Sequence, residues 1–121
     1  MKPGKTGIVR VLHATRYSMR GLKAAWQYEA AFRQESIIGL AMLLLAMWLP
    51  VTAVEKVLLI GSLFIVVIVE LLNSAIEAVV DRIGSEFHEL SGRAKDIASA
   101  AVFMALTLAL LTWGVIIGGI L

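Results

Sequence analysis

Cysteine is absent from this 121-residue chain, and charged residues and proline are scarce. Without cysteine, the chain has neither a disulfide framework nor a thiolate ligand for a metal. Only 17% of its residues are charged and 60% are hydrophobic, whereas an ordinary soluble domain has about 25% and about 45–50%. This composition argues against a soluble globular domain and indicates a single membrane domain over residues 1–121.

Several familiar motifs are also missing. The sequence has no GxxxxGK[ST] loop, no GxGxxG loop and no HRD or DFG set, so any kinase built from it must use another fold. Residues 1–35 lack the compact apolar region and cleavage site of a signal peptide, and we expect none there. The net charge is only +2, and we expect no nucleic acid as a partner.

Charge is missing altogether from three long runs, at residues 36–54, 57–69 and 97–121. A helix needs about 20 apolar residues to cross a hydrocarbon core of about 30 Å. The second run reaches that length only if its helix continues through Glu70 and Glu77. We therefore predict an all-α membrane protein, with Ser91 as a possible cap of its last helix. The predicted elements are an amphipathic surface helix at about 6–28 and transmembrane helices at 34–49, 52–83 and 92–119.

The positive charges are distributed unevenly among the connections. Seven of the eleven Lys and Arg residues precede the first span, three lie between the second and third spans, and only Lys56 lies in the short first connection. Because cytoplasmic loops carry the excess of Lys and Arg, this bias predicts a cytoplasmic N-terminus and a cytoplasmic 82–96 loop. The C-terminus is then expected on the opposite side of the membrane.

The predicted N-terminal helix has one apolar and one basic face. At 100° per residue, its apolar side chains fall within about 80° of one another and its basic side chains lie opposite. Such a helix either lies in the membrane interface or packs on the protein's own bundle, and the sequence leaves both open. Its basic face also suits phosphate groups. The apolar face contains Ile8, Leu12, Thr15, Met19, Leu22 and Trp26.

The second span carries a polar stripe. Asn73, Ser74, Glu77 and Asp81 all fall within about 60° of Glu70 around a helix. One acid at mid-membrane costs about 2.5–3.5 kcal/mol on insertion scales, and three like charges on one face also repel one another. We therefore expect this stripe to face protein, water or a cation.

The depth of these acids suggests their chemistry. Glu70 lies 14 residues beyond Lys56, about 21 Å along the helix, near the inner edge of the hydrocarbon. Glu77 lies about 10 Å further toward the cytoplasm, and Glu29 lies at a similar level. A membrane-edge base beside acids that can hold Mg²⁺ suits phosphoryl transfer to a lipid. The alternatives are a structural ion pair and a small multidrug or proton-coupled transporter. The mixed charges of residues 86–89 and 93–96 favour nucleotide contacts over a transport path, with a solvated loop as the alternative for any single residue there.

The same segment resembles a known family. Its pattern, which is typical of the integral-membrane bacterial diacylglycerol kinases, reads Glu70-x-Leu72-Asn73-Ser74-Ala75-Ile76-Glu77-x-x-Val80-Asp81. The similarity extends to residues 21–26, 29–35 and 81–96. It implies MgATP-dependent phosphorylation of diacylglycerol to phosphatidic acid in the bacterial inner membrane, with the C-terminus in the periplasm. It also implies a homotrimer whose active sites are shared between subunits. A related branch that phosphorylates undecaprenol is the alternative.

The resemblance also implies roles for individual residues. Glu70 would accept the proton of the lipid hydroxyl, Asn73 would support Glu70, and Glu29 with Glu77 would hold the Mg²⁺ that accompanies ATP. The implied nucleotide site consists of Arg10, Tyr17, Glu29, Glu77, Glu86, His88, Lys95 and Asp96. The implied lipid site consists of Arg10, Ser18, Met19, Lys23, Trp26, Ala31, Glu35, Glu70 and Ser99.

Overall fold

The computed structural model of the protein describes residues 6–84 and 88–121, which form four α-helices and, over those two ranges, no strand. In chain order the helices are α1 (Gly7–Tyr28), α2 (Ala30–Trp48), α3 (Ala53–Ile83) and α4 (Glu89–Ile120). By length and composition, α2, α3 and α4 can each cross a membrane. The predicted all-α class, with one N-terminal helix before three candidate spans, is confirmed.

A single extended residue, Glu29, separates α1 from α2. For this reason α2 starts at Ala30, four residues before the predicted position 34. Nη1 of Arg33 donates to the carbonyl oxygens of Trp26 at 2.7 Å and Gln27 at 3.2 Å. These carbonyls belong to the last turn of α1 and have no partner within the helix. Arg33 thus ties the two helices together across the break at Glu29.

Side-chain caps begin the next two helices. Thr52 and Glu55 form a capping box at α3: the Glu55 amide donates to Thr52 Oγ1 at 3.1 Å, and the Thr52 amide donates to Glu55 Oε1 at 2.9 Å. Helix α4 begins at Glu89 because Nδ1 of His88 accepts from the Leu90 amide at 3.0 Å. The predicted start at residue 92, with Ser91 as its cap, is therefore wrong by one turn.

The best-packed part of the core lies where the end of α2, the first half of α3 and the end of α4 meet. Its buried residues are Ala46, Leu59, Trp113 and Ile116. Trp113 Nε1 donates to the Leu59 carbonyl at 3.3 Å and to Ser62 Oγ at 3.2 Å. Because a buried indole N–H needs an acceptor, this contact sets the rotation of α4 against α3, the pair of helices that packs most extensively.

Removing this indole should destabilise the fold. We expect Trp113→Ala to lower the free energy of unfolding by about 3–5 kcal/mol, because a cavity opens and the hydrogen bonds are lost. The matched control is Trp48→Ala at the end of α2, where the ring is 87% exposed, and we expect it to cost less than about 0.5 kcal/mol. Reversible unfolding in detergent micelles measures both. Equal losses in the two variants would contradict this account of the core.

Many large apolar side chains point outward from the single chain. On the predicted apolar face of α1, Ile8 is 77% exposed, Leu12 63% and Met19 56%. The only buried residue of this helix is Ala25. The apolar face of α1 is therefore not covered by the chain's own helices and is available to lipid or to a second copy of the chain.

Candidate functional site

The buried face of α3 changes from apolar to acidic along its length. Leu59, Ser62, Val66 and Glu70 are its buried residues, and their spacings of three and four place them on one side of the helix. Glu70 is only 6% exposed. The expectation that the polar stripe faces protein is confirmed for Glu70, whose position continues the packed seam.

Three further acids surround Glu70. The Glu35 carboxyl of α2 lies within its hydrogen-bonding reach, and Glu77 and Glu29 are close enough to act on its charge. Atom Oε2 of Glu35 is buried and has no hydrogen-bond partner. Carboxylates this close repel one another unless a proton or a cation lies among them. Acids from α2, α3 and the α1–α2 junction thus converge on one buried carboxyl.

Asn73 contacts a different acid from the one predicted. Its Nδ2 donates to Glu77 Oε1 at 3.3 Å. Glu77 lies four residues further along the same face, where a side chain from one turn earlier can reach it. Asn73 therefore contacts Glu77, and its support of Glu70 stays a prediction.

A lysine from α4 reaches the same end of α3. Lys95 Nζ lies 2.7 Å from Asp81 Oδ1, and the Glu77 carboxylate also acts on the charge of this ammonium. Lys95 is a predicted nucleotide-binding residue. Its ion-pair partner was missed by the sequence reasoning, although Asp81 follows Glu77 by one helical turn and shares its face.

A groove of about 630 Å³ runs between α1 and α3 and ends at Glu29. Its walls are mostly apolar or small, with Leu22 and Ala25 on α1 and Leu71 and Ala75 on α3. The polar groups among its lining residues are those of Ser18, Tyr28, Glu29 and Ser74. An apolar groove that ends at an acid suits a ligand with a hydrocarbon body and a polar head.

The remaining predicted site residues that the structure describes are spread over the helices. Met19 and Trp26 lie on exposed parts of α1, at 56% and 45% exposure. Tyr17 packs its ring against the guanidinium of Arg20 at 5.9 Å. Arg10, Lys23, Ala31, Asp96 and Ser99 are exposed on their helices. His88 caps α4, and Glu86 lies outside the described residues.

The acids fit a metal ion that arrives with its own oxygen ligands. Within residues 6–84 and 88–121, no three His, Asp or Glu residues form a complete metal site. Mg²⁺ usually needs only one or two carboxylates when phosphate oxygens supply the other ligands. Glu29 and Glu77, both near Glu70, provide two such carboxylates.

The fold and the site together define a helical membrane protein with a cluster of acids at one end of its bundle, beside an apolar groove. A family model described as "Prokaryotic diacylglycerol kinase" matches residues 16–117. The chain therefore belongs to the prokaryotic diacylglycerol kinase family. It is a multi-pass membrane protein.

Relatives from three bacteria match almost the whole chain. The diacylglycerol kinase of Escherichia coli K12 is 56% identical over 117 residues, which cover 97% of this chain and 96% of that protein. The diacylglycerol kinase of Haemophilus influenzae is 49% identical, with 90% and 92% covered. That of Pseudomonas aeruginosa is 48% identical, with 96% and 94% covered.

Proposed function

We propose that this protein is a lipid kinase that transfers the γ-phosphate of ATP to the free hydroxyl of diacylglycerol and gives phosphatidic acid. The observation that carries the proposal is the buried Glu70, surrounded by Glu29, Glu35 and Glu77, in a chain that is 56% identical to a diacylglycerol kinase. Family membership also favours a kinase over the proton-coupled transporter that the acids alone would allow.

Glu70 acts as the general base in this proposal. Its carboxylate accepts the proton of the lipid hydroxyl while that oxygen bonds to the γ-phosphorus and the bond from phosphorus to the leaving oxygen of ADP breaks. Burial on α3 keeps water away from the Glu70 carboxylate. The groove that ends at Glu29 borders this site, and Ser18 lies in its wall.

Glu29 and Glu77 are the proposed ligands of the Mg²⁺ that accompanies ATP. When bound, the ion neutralises phosphate charge as it develops in the transition state. Asn73, which donates to Glu77, holds that carboxylate in one orientation. The remaining residues of the proposed nucleotide site are Arg10, Tyr17, Glu86, His88, Lys95 and Asp96.

We place the protein in the bacterial inner membrane as a homotrimer whose active sites are shared between subunits. The distribution of Lys and Arg supports a cytoplasmic N-terminus and a periplasmic C-terminus. The exposed apolar faces of a single chain support assembly with further copies. The resemblance to the family supports the number three.

Formation of phosphatidic acid by the purified protein tests the proposed function directly. Mixed micelles containing diacylglycerol should give labelled phosphatidic acid from labelled ATP, and removing Mg²⁺ should stop the reaction. Undecaprenol in place of diacylglycerol distinguishes the two branches of the family. A protein that moves protons in sealed vesicles and phosphorylates neither lipid would refute the proposal.

Removing a proposed metal ligand should affect nucleotide use selectively. We expect Glu77→Ala and Glu29→Ala each to lower kcat/KM for MgATP by about 10–100-fold, a loss common when the coordination of a metal is disturbed. The KM for diacylglycerol should change much less. Initial rates at varied Mg²⁺, ATP and lipid measure these constants.

The matched control for these two variants is Glu89→Ala. Glu89 is an exposed acid in the first turn of α4 and pairs only with the neighbouring Arg93 among the described residues, so its loss should leave the kinetics unchanged. The assignment of Glu29 and Glu77 fails if their variants weaken diacylglycerol binding while MgATP kinetics stay normal.

A further inference from the structure

The ion pair between Asp81 and Lys95 joins α3 to α4 at the acidic end of the bundle. Lys95 Nζ lies 2.7 Å from Asp81 Oδ1, with side chains 42% and 66% exposed. Ion pairs this exposed contribute little to stability. A second ion pair, Arg93–Glu89, is longer at 3.5 Å and stays within the first turns of α4. Stability is therefore a weak reason for the Asp81–Lys95 contact.

The surroundings of the pair indicate another role. Asn73, Glu77 and Asp81 follow one another by one helical turn on α3, and the amide of Asn73 already orients Glu77. The Glu77 carboxylate also acts, more weakly than Asp81, on the charge of the Lys95 ammonium. The ion pair with Asp81 thus holds a cation from α4 one helical turn along α3 from Glu77, the proposed metal ligand.

We propose that Asp81 is a positioning residue that holds the Lys95 ammonium in place to receive the nucleotide phosphates. The inference rests on the proposed function, because Lys95 has this role only in a kinase. A lysine side chain has four flexible carbons and loses rotamer freedom when it binds. An ion pair that restrains it beforehand reduces the entropy lost when phosphate binds.

The Asp81→Asn variant of the full-length protein tests the proposal. We expect KM for MgATP to rise about 10-fold, as is usual when a partner that orients a binding group is removed. The kcat and the KM for diacylglycerol should stay near the unmodified values. Asp81→Glu keeps the charge and should restore most of the affinity. The matched control is Glu89→Gln, which breaks the Arg93–Glu89 pair in the first turns of α4 and should not change the KM for MgATP.

A double variant separates positioning from a merely structural role. Lys95→Met should weaken MgATP binding, measured by calorimetric titration without lipid, and Asp81→Asn added to it should cause no further loss. If Asp81→Asn and Glu89→Gln have equal effects, or if the Asp81 and Lys95 effects add independently, the positioning role is wrong.

Two further outcomes show whether the positioning role or the proposed kinase function is wrong. If Lys95→Met binds MgATP normally while the unmodified protein makes phosphatidic acid, the kinase assignment stands and the roles of both Lys95 and Asp81 fall. If the unmodified protein makes no phosphorylated lipid, the proposed function itself has failed.

Discussion

Replacing Glu70 by Gln is expected to lower phosphoryl transfer to diacylglycerol by about 10²–10⁴-fold, the usual contribution of a general base. The substitution keeps the shape of the side chain and removes the carboxylate oxygen that accepts the proton. Glu70 is 6% exposed and packs between helices, so a side chain of different shape would also disturb packing. Gln has nearly the same shape and avoids this second effect. Formation of phosphatidic acid from labelled ATP in mixed micelles measures the loss.

Folding and binding must be shown to survive in this variant. Circular dichroism and gel filtration in detergent should match the unmodified protein, and MgATP should still bind. Glu89→Gln provides the matched control, since it makes the same chemical change at an exposed position on α4, where Glu89 pairs with Arg93. A correctly assembled Glu70→Gln protein with near-normal turnover would show that another group is the base.

Mixing two impaired variants is expected to restore activity if each site draws Glu70 from one subunit and Glu77 from its neighbour. One variant is Glu70→Gln and the other Glu77→Ala. In a randomly mixed trimer at equal ratio, about a quarter of the interfaces receive both intact acids, because each of the two positions has an even chance. Activity should therefore recover to about a quarter of the unmodified level.

Crosslinking and a purification tag on one variant establish that mixed oligomers have formed. Glu29, Glu35 and Glu77 of the same chain already act on the charge of Glu70. The experiment therefore distinguishes a site formed within one chain from a site shared between two chains. Activity that stays at the level of the separate variants at every mixing ratio would refute the shared site. The kinase assignment would be unaffected by that outcome.

The number and order of the helices could be predicted from the sequence because they depend on properties of each segment alone. The uncharged runs determine the candidate spans. The first and third runs have the length that a bilayer requires, and the second reaches it only because its helix continues through Glu70 and Glu77. The acidic stripe on α3 also follows from one helix, since spacings of three, four and seven place side chains on a common face. Pairs within one helix can also be predicted from spacing: Asn73 lies three residues after Glu70 and four before Glu77, so the spacing allows contact with either acid, and the structure shows the contact with Glu77.

Contacts between helices were decided only by the tertiary structure. The approach of Glu35 to Glu70, the ion pair of Asp81 with Lys95 and the groove that ends at Glu29 each join two elements. Such contacts depend on how each helix is rotated and shifted along its neighbour. The indole of Trp113, bound to Leu59 and Ser62, is one contact that sets this register for α3 and α4. The periodicity of a single segment specifies which face is buried, but it carries no information about the residue that the neighbouring helix presents to that face.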